Sequence, residues 1–199
     1  MLLRKILMFT IVLLIGPAWI VGQDKKEETD DWLKAIIAQM PEEQRAQYEK
    51  LRKPDFAKLE LVPRPLELNE TPEKLNEHYK IGDKIYFRLL ITNISIEKVV
   101  ISDADPYYYN RPQLFRDGDP VPYRKGITEL LKSKDEEFVH RRIRTAALGP
   151  DQTLTVNINL SDWYGPLEPG HYQLTVRRRF IWGGEWIESP SSSFEVDPK

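Results

Sequence analysis

Cysteine is absent from the 199 residues, which excludes a disulfide framework, a thiolate nucleophile and a Cys zinc site. An excess of one charge is lacking too. Lys plus Arg is 29 against Asp plus Glu 31, a net of −2, so no global positive field draws in nucleic acid and no nucleic-acid partner is expected. Histidine is scarce: His78, His140 and His171 have no second His at i+4, so no HExxH zinc helix can be assembled. The G-x-S-x-G elbow and the Walker loop are missing, and no internal repeat is visible. No catalytic residue and no cofactor are expected on these grounds. A hydrolase would need His140 or His171 beside a carboxylate and a hydroxyl, and His171 reads first as an exposed turn residue.

What is present suffices for a core: 41% of residues are hydrophobic, with 5 Trp, 9 Tyr and 7 Phe. The length fits one domain with a short appendage. Residues 1–22 carry Arg4 and Lys5, an apolar run from Ile6 to Ile15, Gly16-Pro17 and a small-residue zone ending at Gly22, the order of a secretory signal peptide. Kept as an anchor, residues 6–21 would span about 24 Å as a helix, short of the roughly 30 Å hydrocarbon core, so a membrane is expected only through that segment if it stays uncleaved. Loss of Arg4 and Lys5 leaves 27 cations against 31 anions, about −4. The chain is therefore expected to be exported, periplasmic or secreted.

Residues 23–54 hold a charged linker, Gln23 to Thr29, and two amphipathic helical pieces. Trp32, Leu33, Ile36, Ile37 and Met40 recur at helical spacing behind Asp30 or Asp31. Pro41 opens the second piece, with Tyr48 and Leu51 on its apolar side, and Pro54 ends it. From Lys58 the period becomes two. Leu59, Leu61, Leu66 and Leu68 flank Pro63 and Pro65, an edge strand interrupted by prolines. Ile85, Phe87, Leu89 and Ile91 form the core side of a strand, and Val99 to Ile101 suggests its hairpin partner. Gln113 to Phe115 and Val121 to Tyr123 bracket the turn Asp117-Gly118-Asp119, residues 127–138 read as a short helix or long loop, and Arg142 to Thr145 reads as a strand. Leu154, Val156, Ile158 and Leu160 alternate cleanly, Trp163 to Pro166 reads as a turn, and Tyr172, Leu174 and Val176 are the inward set of another strand. Gly183-Gly184 reads as the turn joining Phe180–Trp182 to Glu185–Ile187, and Ser193 to Val196 supplies a last strand.

Leu167-Glu168-Pro169-Gly170-His171-Tyr172, leading into Gln173-Leu174-Thr175-Val176, resembles the tyrosine corner of an immunoglobulin-like sandwich, where a Tyr at the start of a late strand bonds back to the preceding turn. Ile81-Gly82-Asp83-Lys84 followed by Ile85-Tyr86-Phe87 and Ile91-Thr92-Asn93 resembles the early strand pair of bacterial exported domains of that kind. The resemblance covers residues 58–198 and implies a Cys-free immunoglobulin-like antiparallel β-sandwich, mainly β, preceded by a helical segment and a signal peptide. It implies a fold and no activity.

Three groups of residues stand out as sites. Tyr107, Tyr108 and Tyr109, with Arg111, lie together where aromatics can stack on sugar rings or fill a partner's pocket, although packing also uses such rings. In Arg177-Arg178-Arg179, alternation from Tyr172 aims Arg178 at the core, so Glu185 and Glu188 are its expected partners across the Gly183-Gly184 turn, with Trp182 and Trp186 in an Arg-Trp ladder on one sheet face. Asp103, Asp105, Asp117 and Asp119 are weak metal candidates that could converge at one end of the sandwich and take Ca²⁺, although EF-hand spacing is missing and turn formation explains them equally. The sequons at Asn69, Asn93 and Asn159 matter only in a eukaryotic secretory pathway. The readings that follow are a non-enzymatic exported module binding a protein or glycan partner or supporting an envelope assembly; an inhibitor or accessory subunit of an exported enzyme, using a loop at 103–111 or 127–138; and the hydrolase above.

Overall fold

The computed structural model describes residues 33–63, 78–102, 105–136 and 145–198. The signal segment, Trp32, Leu66, Leu68, Asn69, Asp103, His140 and residues 142–144 lie outside them. Residues 33–39 form a helix, α1, closed by the Met40 N–H on the Ile37 carbonyl (3.2 Å). No helix among the described residues is long and apolar enough to cross a membrane.

A second compact unit begins at Glu42 with α2 (Glu42–Arg52). Glu42 and Glu43 in its first turn and Lys50 and Arg52 in its last match the helix dipole. Buried Tyr48 and half-buried Leu51 face inward, the Gln47 side chain donates to the Val100 carbonyl (3.2 Å), Lys50 pairs with Glu97 (2.9 Å), and the Glu185 N–H donates to the Arg52 carbonyl (2.9 Å). The rest of this unit is mainly β.

One sheet has the order β1-β3-β8, from β1 (Ala57–Pro63), β3 (Tyr86–Asn93) and β8 (Thr153–Asn159), all antiparallel. The other has the order β2-β11-β9-β5-β6, from β2 (His78–Lys80), β11 (Ser192–Asp197), β9 (Gly170–Arg178), β5 (Asn110–Arg116) and β6 (Asp119–Pro120), with β10 (Ile187–Glu188) also on β9. Only β2 and β11 pair in parallel among the described strands. Period-two alternation decides which side is buried. Phe87, Leu89 and Ile91 on β3 meet Tyr172, Leu174 and Val176 on β9 and Phe194 on β11 in one core. Across the layers Phe87 lies 5.5 Å from Phe194, on which Tyr172 stacks at 5.1 Å. Pro63 is tolerated because β1 is an edge strand.

The Tyr172 hydroxyl donates to the Glu168 carbonyl (2.7 Å), the bond expected of a tyrosine corner. Three local expectations need correction. Val99 to Ile101 does not form a hairpin with β3: β4 (Val99–Ser102) pairs with β7 (Thr145–Leu148) in a separate two-stranded sheet. Fully buried Asn93 supplies the reason, since its amide nitrogen donates to the carbonyls of Glu97, Leu148 and Gly149 (2.8, 3.0 and 3.1 Å) and holds the chain against β7. Trp163 to Pro166 is no simple turn, because Asn159 caps a one-turn helix α5 (Leu160–Trp163) that buries Trp163 and Tyr164. At Gly183-Gly184 the pairing starts further back, with Arg178 opposite Ile187, so the connection runs from 179 to 186.

Candidate functional site

Asp105 and Pro106 shape the tyrosine segment. The Asp105 carboxylate accepts from the N–H groups of Tyr107 and Tyr108 (3.0 and 3.2 Å), and Pro106 occupies the first helical turn, so the three tyrosines form a one-turn helix, α3 (Pro106–Tyr109). The other Asp105 oxygen pairs with buried Lys134 (2.7 Å) on α4 (Ile127–Glu136). Tyr107 packs on Trp163 (4.8 Å) and Tyr108 on Tyr109 (4.8 Å). The three rings are half-buried.

Beside them lies a cluster of guanidinium groups. Asp135 Oδ1 accepts from Arg111 (2.8 Å) and forms an ion pair with Arg179 (2.9 Å). Arg111 also donates to the carbonyls of Tyr107 and Asn110, and Arg179 to that of Tyr108 (3.0 Å). The carbons of Arg111, Arg177 and Arg179 stand 5.0, 5.5 and 4.8 Å from the Trp186 ring centroid, and Arg179 lies 4.3 Å from that of Tyr108. Burial lowers the pKa of Arg111 from its usual value while Asp135 works against the shift, and burial raises that of the Tyr108 hydroxyl against the opposing charge of Arg179.

Arg178 points inward as alternation requires and is 0% exposed. The expected pairing with Glu185 or Glu188 does not form. The β10 register sets Ile187 opposite Arg178 and Glu188 opposite Arg177, and Arg178 instead donates to Asn110 Oδ1 (2.8 Å) and the Ser102 carbonyl (2.9 Å). Its guanidinium also faces Tyr109 and Phe180 at 5.7 and 5.2 Å. Arg178 and Arg111, the latter 8% exposed, are thus buried and bonded within the fold. Half-buried Arg177 and Trp186, with exposed Asp135, form the accessible part, and Trp182 sits half-buried in the same connection. Trp186 is the ring over which Arg111, Arg177 and Arg179 gather.

The described acidic candidates, Asp105, Asp117 and Asp119, do not converge. Asp105 precedes α3, whereas Asp117 and Asp119 follow β5, and the seven residues of β5 alone separate the two ends by about 23 Å. Asp105 is engaged by the cap and Lys134. Asp117, in the left-handed region (φ 51°), turns the chain and accepts from the His171 N–H (3.3 Å). His171 itself is exposed and meets the Glu195 carboxylate (3.5 Å).

A cleft of about 360 Å³ opens between the β2–β3 turn and α5, lined by Lys80, Asp83, Arg124 and Ser161 among others. Tyr164 on its wall donates to the Pro112 carbonyl (2.8 Å), which also accepts from Tyr123 (2.7 Å). These bonds brace the wall. The arginines and Trp186 are legible in the sequence through alternation and the hairpin, and Asn110 through its place beside the tyrosines. Asp135 and Lys134 are not, and the one available signal is Asp105-Pro106, a cap followed by a first-turn proline.

No family model and no curated protein matches the sequence. Among solved structures, the chain is similar to the CARDB domain of a Pyrococcus furiosus protein in complex with di-metal ions (11% identity, 71% of this chain and 91% of that one, TM-score 0.33). It is also similar to the β-glucosidase from Listeria innocua in complex with glucose (13% identity, 71% and 16% covered, TM-score 0.35). A third likeness is to the alkylpurine DNA glycosylase AlkC from Pseudomonas fluorescens bound to DNA containing an abasic site analog (11% identity, 86% and 43% covered, TM-score 0.32). The chain spans 16% of the β-glucosidase and 43% of the glycosylase. Likenesses this distant assign it neither ligand nor activity.

Proposed function

We propose that this chain is a non-enzymatic exported module, an immunoglobulin-like sandwich sent to the periplasm or outside the cell by residues 1–22, that binds a protein or glycan partner through the face around Arg177 and Trp186. The strand orders β1-β3-β8 and β2-β11-β9-β5-β6 and the Tyr172 corner support the sandwich reading. The observation that carries the binding reading is the Trp186 ring with three guanidinium groups around it and one carboxylate, Asp135, on two of them. An aromatic platform fixed in a cationic surround is pre-organised for a carboxylate-bearing partner, because its side chains are already ordered before binding.

An inhibitor or accessory subunit working through a projecting loop has less support. The described parts of the two candidate loops are α3 and α4, pinned to each other by Asp105 and Lys134.

The test is capture of a partner by the tagged full chain from its own envelope fraction, repeated with Trp186→Ala and Trp186→Phe. Capture lost with Trp186→Ala and kept with Trp186→Phe, at similar unfolding temperatures, is the expected result. Equal capture by all three proteins moves the binding face elsewhere.

A further inference from the structure

Two of the three histidines, remote in sequence, come together on the outer face of the β2-β11-β9 sheet. The parallel register of β2 sets His78 opposite Glu195, and the antiparallel register of β9 sets His171 opposite that same Glu195. His78, Glu195 and His171 thus form one row across three adjacent strands, and Asp197 lies two residues along on the same face of β11. His78 Nδ1 is 3.7 Å from Glu195 Oε2 and 3.6 Å from Asp197 Oδ2, while His171 Nδ1 is 3.5 Å from Glu195 Oε2. The ligand atoms of His78, Glu195 and Asp197 all lie within 4.8 Å of one another.

We propose that His78, Glu195, Asp197 and His171 form a binding site for a divalent transition metal of the zinc class. Zn²⁺ bonds of about 2.0–2.1 Å to nitrogen and oxygen place tetrahedral ligand atoms about 3.3 Å apart; His78, Glu195 and Asp197 lie within 4.8 Å of one another and would draw together on an ion, and His171, set beside Glu195, would swing in as the fourth ligand. Mixed imidazole and carboxylate donors select zinc-class ions over Mg²⁺ and Ca²⁺, which take oxygen ligands. Two carboxylates two residues apart on one strand face repel each other, and a dication between them removes that repulsion. Lys80, in register with Asp197, makes no ion pair with it among the described residues. A bound ion would tie the three-residue β2 to β11 and β9 by side chains as well as by the ladder. His78 and His171 are 63% and 75% exposed at the side chain, so a ligand can enter without rearrangement of the core, and replacing either imidazole leaves the core intact.

The experiment titrates Zn²⁺ into the full chain, prepared without a polyhistidine tag and freed of metal by a chelator, by calorimetry and by thermal unfolding, with Mg²⁺ as the parallel ion. Co²⁺ serves as the spectroscopic reporter. The expected result is one equivalent of Zn²⁺ bound with a raised unfolding temperature and a nitrogen-coordinated Co²⁺ spectrum. Affinity should fall at least about tenfold in His78→Ala and in Glu195→Gln, and further in His78→Ala/His171→Ala. Absence of a Zn²⁺ response, a response that Mg²⁺ reproduces, or Zn²⁺ binding unchanged in the double histidine variant would each overturn the proposal.

Discussion

At Tyr172 one hydroxyl joins the start of β9 to the turn before it. Replacing it with Phe keeps the ring on Phe194 and removes the bond, so Tyr172→Phe is expected to cost about 1 kcal/mol, a drop of about 2–4 °C in unfolding temperature. An unchanged unfolding temperature would take the corner out of the stabilising contacts. Several phenols are held neutral by burial. Tyr79 is pushed up to about 12, with Asp83 adding to desolvation, and burial raises Tyr108, Tyr123 and Tyr164 as well. A folded-state pKa above the unfolded value of about 10 means that this stability is complete below pH 10 and is lost as pH rises through the folded value. Tyrosinate absorbance on alkaline titration should therefore show exposed phenols first and these four together with unfolding, and four independent early titrations would refute it. Tyr172 was readable from its neighbours because a tyrosine corner is local. Asn93 was not, since the Leu148 and Gly149 carbonyls it binds arrive from more than fifty residues away.

Among the elements, α3 depends on Asp105 in two ways: one oxygen caps the helix and the other faces buried Lys134. Asp105→Ala removes the cap and leaves the ammonium buried without its carboxylate, an expected loss of about 2–3 kcal/mol. Lys134→Met should cost clearly less, because it removes the buried charge and keeps the cap. Thermal unfolding of the two variants checks this, and a Lys134→Met variant as unstable as Asp105→Ala would contradict it. Strands were readable wherever alternation was clean, as in β3 and β9. The element boundaries at β4, α5 and β10 were not. Each is set by a long-range partner: β7 for β4, the buried niche of Trp163 and Tyr164 for α5, and the Arg178–Ile187 register for β10.

For the molecule as a whole, a near-balanced net charge coexists with a local concentration of arginines at one end of β9. The run Arg177-Arg178-Arg179 announced that concentration. Its division of labour came only from packing, with Arg178 sealed among Asn110, Ser102 and Tyr109 and Arg177 left beside Trp186. The row of His78, Glu195 and His171 was hidden for the same reason, because strand order and register create it and spacing along the chain does not. The most direct test of the account is the affinity of the captured partner for the full chain and for Arg177→Glu, measured at low and at high salt. At least a tenfold loss in the variant at low salt, about 1.4 kcal/mol, is expected, with a smaller difference at high salt and an unfolding temperature close to that of the unaltered chain. Equal affinity for both proteins at low salt would contradict it.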